Sequence, residues 1–184
     1  MLGTYVTLSS KLVADARVFK VRCVSRRSSR TGKARDYHVI DAAPWVNVVA
    51  LTRAGEIVLV RQERHGIEGT TLEVPGGMVD AGEDPAAAAV RELREETGYA
   101  GAPPVPLGWV HPNPAIQGNK TFTYLVHDAA PVGAAEPQDD EDLEVVLASV
   151  KGVRDLVRRG EITHALSVAA LYLLEISGGG GGTR

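Results

Sequence analysis

Residues 76–99 read GGMVDAGEDPAAAAVRELREETGY, a glycine pair followed by a short, strongly acidic helix. Its limits are marked at both ends. Asp84 has the short oxygen-bearing side chain that satisfies free amides at a helix start. Pro85 follows at the first helical position, where its missing N–H costs nothing, and Gly98 suits the left-handed turn that stops a helix. Residues three and four apart share a helix face, so Val90, Leu93 and Thr97, with Ala86, form a stripe expected to pack on a sheet. Glu92, Glu95 and Glu96 are expected on the opposite side, near Arg91. Like charges at this spacing cost an isolated helix a few tenths of a kcal/mol per pair (about 0.2–0.5). Either Arg91 and Arg94 neutralise a solvated face, or something else relieves the crowding.

A divalent cation such as Mg²⁺ or Mn²⁺ would relieve it, since both take oxygen ligands and favour a few carboxylates beside substrate phosphates. The spacing separates the two readings. Gly77 is followed after five residues by Glu83 and, after seven more, by Arg91-Glu92-Leu93-Arg94-Glu95-Glu96-Thr97-Gly98-Tyr99. This resembles the signature box of the Nudix hydrolases, G-x5-E-x7-R-E-U-x-E-E-x-G-U, where U is a bulky apolar residue. Every fixed position is filled; the final U is the aromatic Tyr99.

The resemblance implies an α/β/α sandwich that holds divalent metal on this loop–helix element and cleaves nucleoside diphosphates linked to another group. By box position, Glu92 and Glu96 are implied metal ligands, with Glu95 nearby and the Gly76 carbonyl completing the shell. Arg91 is implied to be structural, paired with Glu83 or Glu95, and Gly77 and Gly98 to permit the turns at either end. The chemistry suits these parts: a charged diphosphate repels a nucleophile until cations neutralise it.

Upstream, DARVFKVRCVS (15–25) and RDYHVID (35–41) alternate as strands and pair as a hairpin around a basic turn, read as a solvated tip. VNVVALT (46–52) and EIVLVR (56–61) are apolar strands, and a short strand over 71–74 leads into the glycine pair. Further strands are expected at 106–110, 121–127 and 143–147, then helices near 150–159 and 163–176. The last helix is apolar nearly all round and belongs in a core or a subunit contact. This element order reads as an α+β fold or an α/β/α sandwich on a mixed sheet; with the resemblance, the expected fold is an α/β Nudix-type α/β/α sandwich on a central mixed sheet, with an N-terminal antiparallel β hairpin. Residues 1–43 are assigned to an N-terminal extension, 44–176 to the Nudix domain, and 177–184 to a disordered glycine-rich tail.

The flanks narrow the branch. VRQERHG (60–66) before LEVPGGMVD, the loop PNPAIQGNK (112–120), DDEDLEV (139–145) and GEITHALSVAAL (160–171) resemble the ADP-ribose pyrophosphatase and nucleoside diphosphate sugar hydrolase branch. On that resemblance Glu141, with Asp139 or Asp140 next, or Glu95, serves as catalytic base, and Arg64, Gln62, Glu73 and Asn113 contact substrate. Arg64 is the candidate for phosphate, because guanidinium matches it bidentately. Glu73 is also placed near the metal shell, and Tyr37 or Trp45 as a platform for the base. His65, His111 and His164 offer a weaker, histidine-based alternative. The branch further implies a homodimer exchanging N-terminal strands.

At 184 residues with 44% hydrophobic and 23% charged residues, the chain has the composition of an ordinary globular domain. A net charge of -3 gives no basic footprint for nucleic acid. A lone Cys23 excludes an internal disulfide. No apolar run is long enough for a membrane span and no leader pattern stands at the start, so a cytoplasmic location without membrane attachment is expected. Hydrolysis of dinucleoside polyphosphates or oxidised nucleotides, and a non-catalytic nucleotide-sugar sensor, are the alternatives to the sugar-nucleotide reading.

Overall fold

The computed structural model describes residues 3–136 and 142–178. The chain folds as two compact units, residues 1–43 with 111–120, and residues 44–110 with 121–184.

The first unit is an antiparallel sheet of β1 (Tyr5–Asp15), β2 (Phe19–Ser28) and β3 (Ala34–Ala42), in that order. β2 and β3 form the expected hairpin, with Val24 opposite Tyr37 and Arg26 opposite Arg35. β1 is an additional strand, beyond those expected from sequence. Every one of its residues is exposed, so no buried alternation announces it. The 111–120 loop joins this unit through the Ile40 amide, which donates to Ile116 O at 2.7 Å.

The second unit is built on β4 (Trp45–Leu51), β5 (Glu56–Arg64) and β6 (Gly69–Glu73), followed by helix α1 (Pro85–Thr97). Next come β7 (Tyr99–Ala100), β8 (Val105–Val110), β9 (Thr121–Val126) and β10 (Ala130–Pro131). β11 (Leu143–Ser149), α2 (Val150–Arg158) and α3 (Ala165–Ile176) complete it. The main sheet runs β11-β5-β4-β9-β8, with β6 also paired to β5; β7 and β10 form a small separate pair. β4 and β9 are parallel and the other pairs antiparallel, so the sheet is mixed.

Side chains on successive strand residues point to opposite faces, and β4 and β5 are apolar on both. Val46, Val48, Ala50 and Val58 pack with Ala88, Ala89 and Leu93 of α1. Val49, Leu51, Ile57 and Leu59 pack with Val153, Ala170 and Leu174 of α2 and α3. The result is an α/β/α sandwich with one hydrophobic layer on each side of the sheet. Although α3 is apolar nearly all round, only Ser167, Ala170 and Leu174 are fully buried, and Tyr172 and Ile176 are exposed.

Helix α1 begins and ends where expected. The Asp84 carboxylate accepts from the Ala86 and Ala87 amides at 2.9 and 3.3 Å. Gly98 closes the helix at φ 71°, its N–H donating to Arg94 O at 2.8 Å. The helix is rotated from the expected phase. Val90 is exposed, and the buried arc runs through Ala88, Ala89, Glu92, Leu93, Glu96 and Thr97. Small alanines let the helix approach the sheet closely, and burying Leu93 contributes about 2 kcal/mol. Glu92 and Glu96 are thereby pulled to the buried edge of the helix, not to its solvated side.

Candidate active site

Because α1 turns Glu92 and Glu96 inward, they meet the loop that leads into the helix. The Gly76 amide donates to Glu96 Oε2 at 2.8 Å. A methyl at Gly77 would stand 2.5–2.7 Å from the Glu92 carboxylate, so glycine here is what admits that side chain. At Gly76 a Cβ would overlap the Val46 carbonyl oxygen, which holds the loop tight against β4. Val46 N–H in turn donates to Gly77 O and Val48 N–H to Pro75 O.

Arg91 ties the acidic group together. Its Nε and Nη2 donate to the two Glu83 oxygens, each at 3.0 Å, while Nη1 reaches Glu92 at 2.8 Å and Glu95 at 3.1 Å. Nη2 also donates to Met78 O at 3.0 Å, and the Asp80 amide donates to Glu83 Oε2. Hydrogen bonding to Glu83 raises the Arg91 pKa, overcoming the opposing effect of burial, and Glu92 and Glu95 add to the rise. The same bond, with the Asp80 amide, lowers the Glu83 pKa. Arg91 thus pairs with both Glu83 and Glu95, the two partners its position implied, and with Glu92 as well.

These groups line a cleft of about 520 Å³ bounded by Gly76, Gly77, Arg91, Glu92, Glu95 and Glu96 together with Gln62 and Arg64. Trp45, Val46, Asn47, Met78, Asp80, His164 and Leu166 complete its wall. Glu73 lies behind Arg64, almost wholly buried. Arg64 Nε and Nη2 donate to its two oxygens, each at 2.8 Å. Thr71 Oγ1 donates to Oε1, and His164 Nδ1 lies 2.5 Å from Oε2. A carboxylate has about four acceptor sites, and four donors occupy this one. Burial alone would raise the Glu73 pKa, but the bonds from Arg64, His164 and Thr71 outweigh it and hold the carboxyl well below its usual range. Glu73 is therefore saturated with hydrogen bonds, two of them from Arg64.

The other expected residues are distributed as follows. Glu83 sits behind Arg91, and Gly98 ends the helix. Asn113 belongs to the first unit, where its carbonyl accepts from the Ile116 and Gln117 amides. Asp139, Asp140 and Glu141, like most of the 177–184 tail, lie outside the described residues. Asn47 joins the site without having been expected there; its amide donates to Leu166 O at 2.9 Å, and an asparagine inside an apolar strand was the available signal. His164 lies far from the carboxylates along the chain, and nothing in the sequence brings it beside Glu73.

Residues 42–169 match the NUDIX domain model. The chain belongs to the Nudix family. It is 26% identical over 175 residues to an ADP-ribose pyrophosphatase of Bacillus subtilis (strain 168), spanning 92% of this chain and 95% of that one. It is 28% identical over 169 residues to an ADP-ribose pyrophosphatase of Mycobacterium tuberculosis (strain ATCC 25618 / H37Rv), covering 91% and 81%. The solved crystal structure of an ADP compounds hydrolase superposes with a TM-score of 0.85 at 26% identity, over 98% of this chain and 97% of that one. This Nudix hydrolase is thus related to ADP-ribose pyrophosphatases along nearly its whole length. No helix among the described residues is long and apolar enough to cross a membrane.

The donors in the cleft suit a hard divalent ion: carboxylate oxygens on adjacent helical turns beside a backbone carbonyl. Among the described residues no three His, Cys, Asp or Glu side chains already converge as a metal cage. Glu92 and Glu95 lean on Arg91, and Glu96 on the Gly76 amide.

Proposed function

We propose that this Nudix hydrolase cleaves the diphosphate of ADP-ribose or a related nucleoside diphosphate sugar, yielding a nucleoside monophosphate and a sugar phosphate. The observation that carries this reading is the meeting, in one cleft, of the Glu92–Glu95–Glu96 carboxylates with a braced arginine, Arg64. The names of the Bacillus and Mycobacterium relatives support the same substrate class.

Glu92, Glu96 and Glu95, with the Gly76 carbonyl, would hold Mg²⁺ or Mn²⁺. Bound there, the ion would supply positive charge against the diphosphate and ease loss of a proton from water. The chain's own groups do the remaining work. Arg64 presents a planar guanidinium to phosphate oxygens. Gln62 adds an amide to the cleft lining, and Arg91 holds Glu92 and Glu95 in place. Proton acceptance falls to Glu95, Asp139 or Glu141. The enzyme acts in the cytoplasm as a homodimer through its 1–43 extension, a role supported by the exposed Val6, Leu12 and Val13 of β1. Sedimentation at micromolar concentration tests the dimer.

The deciding experiment for activity is a panel of sugar nucleotides, dinucleoside polyphosphates and oxidised nucleotides at saturating Mg²⁺ and Mn²⁺. Specificity is read as ratios of kcat/KM. The expected result is preference for ADP-ribose or another sugar nucleotide, with chromatography resolving two phosphorylated products. Preference for another class, or no turnover of any, overturns the reading.

A further inference from the structure

His164 stands at the N-cap of α3 in extended backbone geometry but makes no capping hydrogen bond with its side chain. It forgoes the backbone bond that Ser, Thr, Asp or Asn would make there. The imidazole is turned instead toward the cleft wall, with Nδ1 2.5 Å from Glu73 Oε2 and 3.1 Å from Ser167 Oγ. Ser167 is fully buried, and its Oγ accepts from the Val74 amide at 3.2 Å, which anchors this end of α3 to the segment after β6.

The four donors to Glu73 are arranged in pairs. Oε1 accepts from Arg64 Nε and Thr71 Oγ1; Oε2 accepts from Arg64 Nη2 and His164 Nδ1. The two bonds from Arg64 define a planar fork, but a fork alone can rock with its carboxylate. The two outer donors, one on each oxygen, fix the carboxylate plane, and the guanidinium must follow it. An ionised carboxylate only accepts, so the imidazole proton facing it resides on Nδ1.

We infer that His164 is a positioning residue for Arg64, acting through Glu73 to set the plane in which the guanidinium meets the anionic part of the substrate. This rests on the reading that the cleft binds a diphosphate.

The test compares H164A with H164N, whose side-chain amide can replace the Nδ1 donor, using ADP-ribose as the probe. H164A is expected to raise KM roughly tenfold with kcat within about twofold, the loss of one charge-assisted contact. H164N is expected to recover most of that loss. In an R64A background, adding H164A is expected to change KM by less than about twofold, because the two act as one unit. The ¹⁵N-labelled Arg64 Nε–H should exchange with water faster in H164A than in wild type, without any substrate present. Should H164A not fold, H164Q, whose longer amide cannot reproduce the Nδ1 position, takes its place. Unchanged Arg64 exchange, or an equal KM rise without Arg64, overturns the assignment. If the wild type cleaves no sugar nucleotide the functional reading fails, and the exchange measurement still decides the role of His164.

Discussion

Substituting Gly77 by alanine separates what the box glycine does for folding from what it does for catalysis. The added methyl would lie 2.5 Å from Glu92 Oε1, where ordinary contact begins at 3.4 Å, so the carboxylate must retreat by about 0.9 Å. The atoms it meets are the far end of a flexible side chain, so the fold can yield cheaply. Catalysis through the proposed metal ligand Glu92 cannot, since a misplacement near 1 Å in a reacting constellation costs on the order of 10²-fold. G77A is therefore expected to keep its melting temperature within about 3 °C. Its kcat/KM, measured with ADP-ribose and Mg²⁺, should fall about a hundredfold. The neighbouring G76A is the control with the opposite balance: its methyl meets the Val46 carbonyl and Asn47 Cα, both backbone. Overpacking of that kind costs roughly 3 kcal/mol, or a melting point lower by about 6–12 °C. If G77A retains full activity, or if it unfolds as readily as G76A, the placement of Glu92 against the loop is wrong.

Three further outcomes follow from the same geometry. E96Q keeps an oxygen to accept the Gly76 amide, so circular dichroism and melting should stay close to wild type. Its turnover should drop by about 10²-fold or more, because a charged oxygen is removed from the group proposed to hold the metal. R91K replaces a fork with a point charge that cannot serve Glu83, Glu92 and Glu95 together; kcat/KM is expected to fall about tenfold, and unchanged kinetics would remove Arg91 from its bracing role. The depressed Glu73 pKa gives an acid limb with a definite sign. Its contribution to stability is fully present above the ordinary value of 4.5 and is lost as pH falls through the lower folded value. E73Q should be less stable at neutral pH and show a shallower loss of melting temperature below about pH 4.5; parallel acid limbs for both proteins would contradict the burial of an ionised Glu73.

Most of this site was legible because its parts are contiguous. Asp84, Pro85 and Gly98 mark α1 through local backbone chemistry, and the Gly77-to-Gly98 spacing places three carboxylates and one arginine on a known element. What escaped needed either phase or distance. Val90 looked like a core residue on apolar character, but Ala88 and Ala89 permit the closer helix–sheet contact and took its place. β1 has the composition of a strand without the buried face that periodicity detects. The saturation of Glu73 joins Arg64, Thr71 and His164 across β5, β6 and the start of α3. No local pattern encodes that meeting, which only the pairing of β5 with β6 and the docking of α3 create.

The pairing of β5 with β6 sets Val60 against Glu73 and Gln62 against Thr71. Even-numbered β5 residues from Val58 onward thus share the side that carries the cleft, while Arg61 faces away and pairs with Glu144. Residue parity along this strand works as a switch with two settings. Deleting a single residue between Val58 and Gln62 would reverse the facing of Gln62 and Arg64 relative to Ile57 and Val58, so the strand could keep either its two packed layers or Arg64 beside its carboxylate, not both. Tolerance to length change is accordingly confined to the connecting loops, and a variant that loses one residue within that span forfeits either the fold or the chemistry.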